Sequence, residues 1–164
     1  MKKFVYLLIL LSFPLGLILN NSTYCFYETF KNLKNATFCY VYSAEEYETS
    51  LNKVLSANAT PVKSLKNGSK QFVYFKDINS SLKEISPEYM QVEADISANN
   101  LAGILKKINA KLVLKEQYET VEVSYYYTSV WKNFRVLGGK KVNLQIAINQ
   151  NVVTMGYPMI YGAF

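Results

Sequence analysis

The sequence predicts an α+β fold, a mainly antiparallel twisted sheet with two helices packed on one face. Three observations carry this. Several short runs alternate apolar and polar residues at the period of a half-buried strand. Two longer runs place apolar residues at helical spacing. Each helical run is entered from a strand-like run and followed by two more, and the two segments superimpose at an offset of 54 residues. That offset matches Ser43 to Ser97, Leu51 to Leu105, Lys53 to Lys107 and Val54 to Ile108, which suggests a duplicated strand-helix-strand-strand unit.

The chain opens on Met1-Lys2-Lys3, continues through apolar residues from Phe4 to Leu19 broken only by Ser12, Pro14 and Gly16, and turns polar at Asn20-Asn21-Ser22-Thr23. A basic, then apolar, then polar order is that of a secretory signal. The apolar run is shorter than the roughly 20 residues that span a bilayer, and Pro14 weakens a permanent helix. Cleavage is favoured, but no A-x-A-like site follows, so an uncleaved anchor stays open. Residues 1–22 are therefore read as a signal peptide or amino-terminal membrane anchor, and 23–164 as a single α+β domain that no linker divides. The expected location is the periplasm or the outer face of the cytoplasmic membrane.

Export places the two cysteines in an oxidising compartment. Thr23 to Phe30 and Thr37 to Tyr42 are rich in aromatic and β-branched residues and flank the polar stretch from Lys31 to Asn35, so they read as a hairpin. Pairing around Asn32 sets Cys25 opposite Cys39. A disulfide there closes a loop worth about 3 kcal/mol on the chain-entropy account. Asn79, within Asp77-Ile78-Asn79-Ser80-Ser81, matches an extended acceptor pattern for N-glycosylation.

Ser43-Ala44-Glu45-Glu46 reads as a capping box, and Tyr47, Leu51, Val54 and Leu55 form one face of a helix over about 44 to 57. Strands follow at Val62 to Leu65 and Gln71 to Lys76, around the Asn67-Gly68 turn. Met90, Val92, Ala94 and Ile96 alternate with polar residues in the next strand. A second helix begins near Ser97 or Asn99, with Leu101, Ile104, Leu105 and Ile108 on one face. Strands at Lys111 to Lys115 and Thr120 to Tyr127 close the second unit. After a Gly138-Gly139 turn, Val142, Leu144, Ile146 and Ile148 alternate in a further strand, and a last strand covers about Val152 to Met155.

Composition narrows the chemistry. The chain of 164 residues has no histidine, which removes histidine-dependent triads and zinc hydrolase sites. It has two cysteines and no Gly-rich phosphate loop, and no cofactor is expected. The formal charge of +6 includes Lys2 and Lys3 of the targeting segment, and Arg135 is the lone arginine. Nucleic acid is not the expected partner, because lysine lacks the planar fork with which arginine reads phosphates and guanine edges.

Tyr125-Tyr126-Tyr127, with Trp131 and Phe134 close behind, is the most unusual local cluster. Alternation sends Val121, Val123, Tyr125 and Tyr127 to one face and Glu122, Ser124 and Tyr126 to the other. Core packing accounts for such a cluster, and so does an aromatic surface that stacks against a glycan, a peptide or a partner domain, with Tyr126 and Trp131 as the candidate binding residues. Glu45, Glu46 and Glu48 suit a solvated helical face. Glu116, Glu119 and Glu122 gather at a strand turn, where two carboxylates at suitable separation could process a glycan.

Leu105 with the following Asn109-Ala110-Lys111, then Val121-Glu122-Val123-Ser124, Trp131, the run Lys141-Val142-Asn143-Leu144-Gln145-Ile146-Ala147-Ile148 and the ending Gly156-Tyr157-Pro158-Met159-Ile160 together resemble the carboxy-terminal part of the YwmB family. These are exported bacterial proteins of unknown function with a fold similar to the TATA-box-binding protein. The resemblance covers about residues 101 to 164. It implies a twisted sheet with two helices and carries no catalytic residues, and a shared fold does not imply DNA binding.

The expectation is an exported cell-envelope protein that acts as a non-enzymatic binding or interaction module. Its partner is an unknown envelope protein or glycan, and it meets the membrane through residues 4–19 if they are uncleaved. The alternatives are a carboxylate-based enzyme of glycan or peptide processing and, further off, a nucleic-acid-binding domain outside the cytoplasm.

Overall fold

The computed structural model describes residues 22–46, 48–49, 52, 61–76, 87–97 and 99–162. The apolar segment 4–19, most of the helix expected over about 44 to 57, and Asn79 lie outside them. Glu48, Thr49 and Asn52 are helical. Among the described residues no helix is long and apolar enough to cross a membrane.

The fold is α+β, as the patterning predicts. In chain order the elements are α1 (Ser22–Phe30), β1 (Thr37–Ser43), β2 (Lys63–Asn67), β3 (Lys70–Phe75), β4 (Tyr89–Asp95), α2 (Leu101–Lys107), β5 (Lys111–Tyr118), β6 (Val121–Tyr127), β7 (Arg135–Leu137), β8 (Lys140–Val142), β9 (Leu144–Asn149) and β10 (Val152–Tyr157). Eight strands form one sheet in the order β2-β3-β1-β4-β10-β9-β6-β5, with every neighbouring pair antiparallel. The first strands of the two proposed units, β1 and β4, lie side by side at its centre. The units differ in one respect: β3 pairs directly with β1, whereas β10 and β9 stand between β4 and β6.

The two-residue period sorts the side chains. Phe38, Tyr40 and Tyr42 of β1, Val73 and Phe75 of β3, Met90, Val92 and Ala94 of β4, Leu144 and Ile146 of β9, and Val153, Met155 and Tyr157 of β10 share one face and one buried core. Both α1 and α2 lie over that face. From α2, Leu101, Ile104 and Leu105 pack on the core at the predicted spacing, and Ile108 just beyond it is buried. Its amino end forms two residues later than Asn99, because the Asn100 side chain caps it by accepting the Gly103 N–H at 2.9 Å. Asn99 is used differently: its amide exchanges hydrogen bonds with Lys34 N–H and carbonyl across the chain, at 2.9 and 3.2 Å.

The hairpin expected between Thr23–Phe30 and Thr37–Tyr42 does not form. Residues 22–30 are helical, and the Lys31 N–H continues the ladder by donating to the Tyr27 carbonyl at 2.7 Å. The β propensity of this aromatic segment is overridden by burial. Phe26 and Phe30, one helical turn apart, face Trp131 with ring centroids at 5.8 and 6.2 Å, and Phe26 also meets Tyr157 at 6.4 Å. Those partners lie more than a hundred residues away, so no local pattern announces them.

The expected Cys25–Cys39 disulfide falls with the hairpin. No cysteine pair stands at disulfide distance. Cys25 sits on α1, over the helical face of the sheet, while Cys39 alternates with Phe38 and Tyr40 and so points to the other face. The sheet itself separates them.

The run from Val142 to Ile148 is also not one strand. It breaks at Asn143, and Val142 joins a smaller cluster on the opposite face with Val123, Tyr125 and Ala147. The Asn143 amide is fully buried and spans a loop. Its Oδ1 accepts the Thr128 N–H at 2.8 Å, and its Nδ2 donates to the carbonyls of Thr128 and Trp131 at 2.7 and 3.1 Å. The Gly138-Gly139 turn stands as predicted, both glycines at positive φ (55° and 77°), as a two-residue turn between β7 and β8 requires.

Candidate functional site

The face opposite the helices carries the candidate site. Along β4 it presents Tyr89, Gln91 and Glu93, along β3 Phe72 and Tyr74, and along β10 Thr154 and Gly156. Only part of this face is covered. The β7–β8 hairpin seats Leu137 and Val142 on the β6 and β9 end, and the chain after β10 folds back over the centre.

The returning segment, residues 158–162, is held by main-chain contacts. Ile160 N–H donates to Gln145 Oε1 at 3.1 Å, and Tyr161 N–H donates to Gln91 Oε1. Gly156 permits the approach, because a Cβ at that position would stand 2.5 Å from the Ile160 nitrogen. The Tyr161 ring then packs on Tyr89 and Phe72, with centroids at 4.9 and 5.7 Å. The Tyr157–Pro158 peptide is cis.

Beside this segment a groove of about 650 Å³ opens between β2–β3 and the central strands. Its floor is Cys39, Tyr74, Gln91, Glu93, Thr37 and Thr154; Phe72 and Tyr161 form one wall and Leu65 to Asn67 the other. Rings for stacking therefore alternate with amide, hydroxyl and carboxylate groups for hydrogen bonding. Lys63 Nζ stands 5.8 Å from the Tyr74 ring centroid. Cys39 is not armed as a nucleophile: burial outweighs the hydrogen bonds from Tyr74 and Val73 and pushes its thiol up to about 12. The arrangement can hold a ligand by stacking and hydrogen bonding. Among the described residues no three His, Cys, Asp or Glu side chains come together as a metal site.

The residues singled out from sequence lie elsewhere. Trp131 is 2% exposed, wedged among Phe26, Phe30 and Tyr157, and so is a core residue rather than a docking side chain. Tyr126 is half-buried and packs on the same core. Tyr125 and Val123 face the opposite side, as alternation predicts. Cys25 lies on the helical side. The carboxylates do not converge. Glu116 pairs in register with Val123 on the face opposite the helices, where its Oε2 accepts the Tyr118 hydroxyl at 2.7 Å, whereas Glu122 lies on the helical face in an ion pair with Lys115 at 2.7 Å. Ser43 fulfils half of the capping box, its Oγ accepting the Glu46 N–H at 3.3 Å.

Sequence reasoning passed over Gln91, Gln145, Tyr74 and Tyr161. Gln91 and Gln145 were visible as polar members of alternating strands, but alternation says only that they leave the core. Their convergence on one returning segment depends on β4, β10 and β9 being neighbours. Comparison of the chain with family models, curated proteins and solved structures finds no match.

Proposed function

We propose that this is an exported envelope protein that works as a binding module and not as an enzyme, and that it holds an extended polypeptide segment of another envelope component in the groove beside residues 158–162. Residues 4–19 direct its export and anchor it wherever they are retained, placing the domain in the periplasm or on the outer face of the cytoplasmic membrane. The relationship to the YwmB family, with its TATA-box-binding-protein-like fold, belongs to the same reading and rests on the residue runs quoted above.

One observation carries the ligand class. Gln91 and Gln145 already accept consecutive main-chain N–H groups from a stretch of polypeptide that bends back across this face. Beside it, Tyr74 and Phe72 supply rings, and Glu93, Thr37 and Thr154 supply side-chain partners for a second stretch. The uncovered groove is where such a stretch fits.

Fractionation of the native cell with crosslinking and pull-down tests location and partner together. The full chain is expected in the envelope fraction, crosslinked to a polypeptide that Tyr74→Ala and Glu93→Lys lose and Tyr126→Ala retains. Recovery in the cytosol overturns the export reading, and capture undiminished by the groove changes overturns the site.

A further inference from the structure

From Val123 to the end of the chain there is no acidic residue, while Lys132, Arg135, Lys140 and Lys141 all fall there. The β7–β8 hairpin and the loop before it concentrate them. One side of the hairpin is fixed: Leu137 and Val142 pack into the cluster on the sheet face opposite the helices. The register pairs Val136 with Lys141 on the other side, which points away from the protein. Val136 there is 64% exposed and Phe134 40%, with Lys141 Nζ 4.4 Å from the Phe134 ring centroid. Glu88, which shares a cleft with Lys132, Phe134 and Arg135, is already ion-paired with Lys70 at 2.5 Å. The patch is therefore both apolar and cationic.

Its position is informative. The Ser22 side chain hydrogen-bonds the Tyr157 hydroxyl, and that hydroxyl accepts the Asn133 N–H at 3.0 Å. Ser22 follows the apolar segment 4–19 by three residues. The point at which that segment meets the folded domain is thus two hydrogen bonds from the loop that leads into the cationic hairpin.

We infer that the outward side of this hairpin, Phe134, Val136 and Lys141 with Lys132 beside them, docks the domain on an anionic bilayer, while Lys140 and Arg135, the latter donating to the Tyr89 hydroxyl at 3.0 Å, stand on the side of Leu137 and Val142 and add charge at its rim. Cations lie against lipid phosphates while the two apolar side chains enter the headgroup layer. This goes beyond the polypeptide groove and does not depend on it, since none of these residues lines that groove.

The test is partition of the full chain onto phosphatidylcholine vesicles with and without phosphatidylglycerol. Residues 4–19 are common to every variant, so differences report the patch. The unsubstituted chain is expected to prefer the anionic vesicles, in a salt-sensitive way. Replacing Lys132, Arg135, Lys140 and Lys141 by Gln is expected to remove that preference, at about fivefold for each cation, the ratio that about 1 kcal/mol per basic residue represents. Phe134→Ser with Val136→Ser, on a surface that the core does not use, is expected to weaken anionic binding several-fold with an unchanged melting curve. Tyr74→Ala should bind vesicles as the unsubstituted chain does. Equal binding to both vesicle types overturns the inference, as does a Gln-substituted chain that keeps its preference. Retention of duplex DNA through the same four cations, with no preference among vesicles, assigns them to nucleic acid and overturns it as well.

Discussion

The two faces of the sheet are built on different terms. The helical face is closed by aromatic burial: α1 brings Phe26 and Phe30 onto Trp131 and Tyr157, and the fully buried rings of Phe38, Tyr40, Tyr42 and Phe75 continue that layer. The opposite face is closed only in part, by the Val123, Tyr125, Val142 and Ala147 cluster at one end and by Gln91 and Gln145 holding a backbone segment at the centre, with a groove left beside it. Apolar burial is non-directional and scales with area, so the described residues of the first face pack into one closed core. Hydrogen bonds to side-chain amides are modest in net energy and exchangeable with those of a partner. The second face is the one suited to recognition.

Substitutions measure how deep that contrast runs. Trp131→Ala on the helical face empties the space among Phe26, Phe30 and Tyr157, and is expected to cost about 3–5 kcal/mol in a denaturant melt. A loss under about 1 kcal/mol would mean that the aromatic layer is not the main support. Asn143→Leu strands the Thr128 N–H and two carbonyls in the interior; about 2–4 kcal/mol is expected, since a buried polar group left without a partner costs about 1–3 kcal/mol.

On the recognition face the effects shrink. Gly156→Val drives a side chain into the Ile160 backbone and is expected to lift residues 158–162 away at about 1–3 kcal/mol, read as faster chymotryptic cleavage after Tyr161 and a smaller loss in the melt. Unchanged cleavage would show that the segment is not seated on Gly156. The last effect is absent at neutral pH and appears only in alkali. The Cys39 thiol ionises near 9.0 when unfolded but is held protonated up to about 12 when folded, chiefly by burial. Its contribution is complete below about pH 9 and declines as pH rises toward 12, at about 1.4 kcal/mol per unit. Burial raises the Tyr40 and Tyr42 hydroxyls in the same direction. Melting should therefore come earlier in alkali, and Cys39→Ser should flatten the decline. An identical profile in that variant would remove the thiol from the account.

The strands were largely legible, and the reason shows in particular elements. Met90, Val92 and Ala94 alternate in sequence and point into one core, and the alternation predicted from Met90 to Ile96 agrees with β4 to within a residue at each end. Leu101, Ile104 and Leu105 mark α2 in the same way. Legibility failed where the deciding partner was distant. Aromatic residues from Tyr24 to Phe30 fit a strand by propensity, yet Trp131 and Tyr157 draw them into a helix. Val142 and Leu144 continue one alternation, yet the Asn143 amide, bound to Thr128 and Trp131, breaks it and sends them to opposite faces. For the site, the sequence pointed to the aromatic cluster after Val123, and the structure places two of its members, Tyr126 and Trp131, against the core.

By itself the sequence determined the α+β class, the faces of most strands, the Gly138-Gly139 turn and the absence of histidine chemistry. All of these rest on the period of the backbone, on the steric freedom of glycine or on residue type. Only the tertiary structure decided the helical state of Ser22–Phe30, the separation of Cys25 from Cys39 by a sheet, and the meeting of Gln91 and Gln145 over one backbone segment. Each depends on which strands become neighbours, and in a sheet of order β2-β3-β1-β4-β10-β9-β6-β5 those neighbours come from opposite ends of the chain.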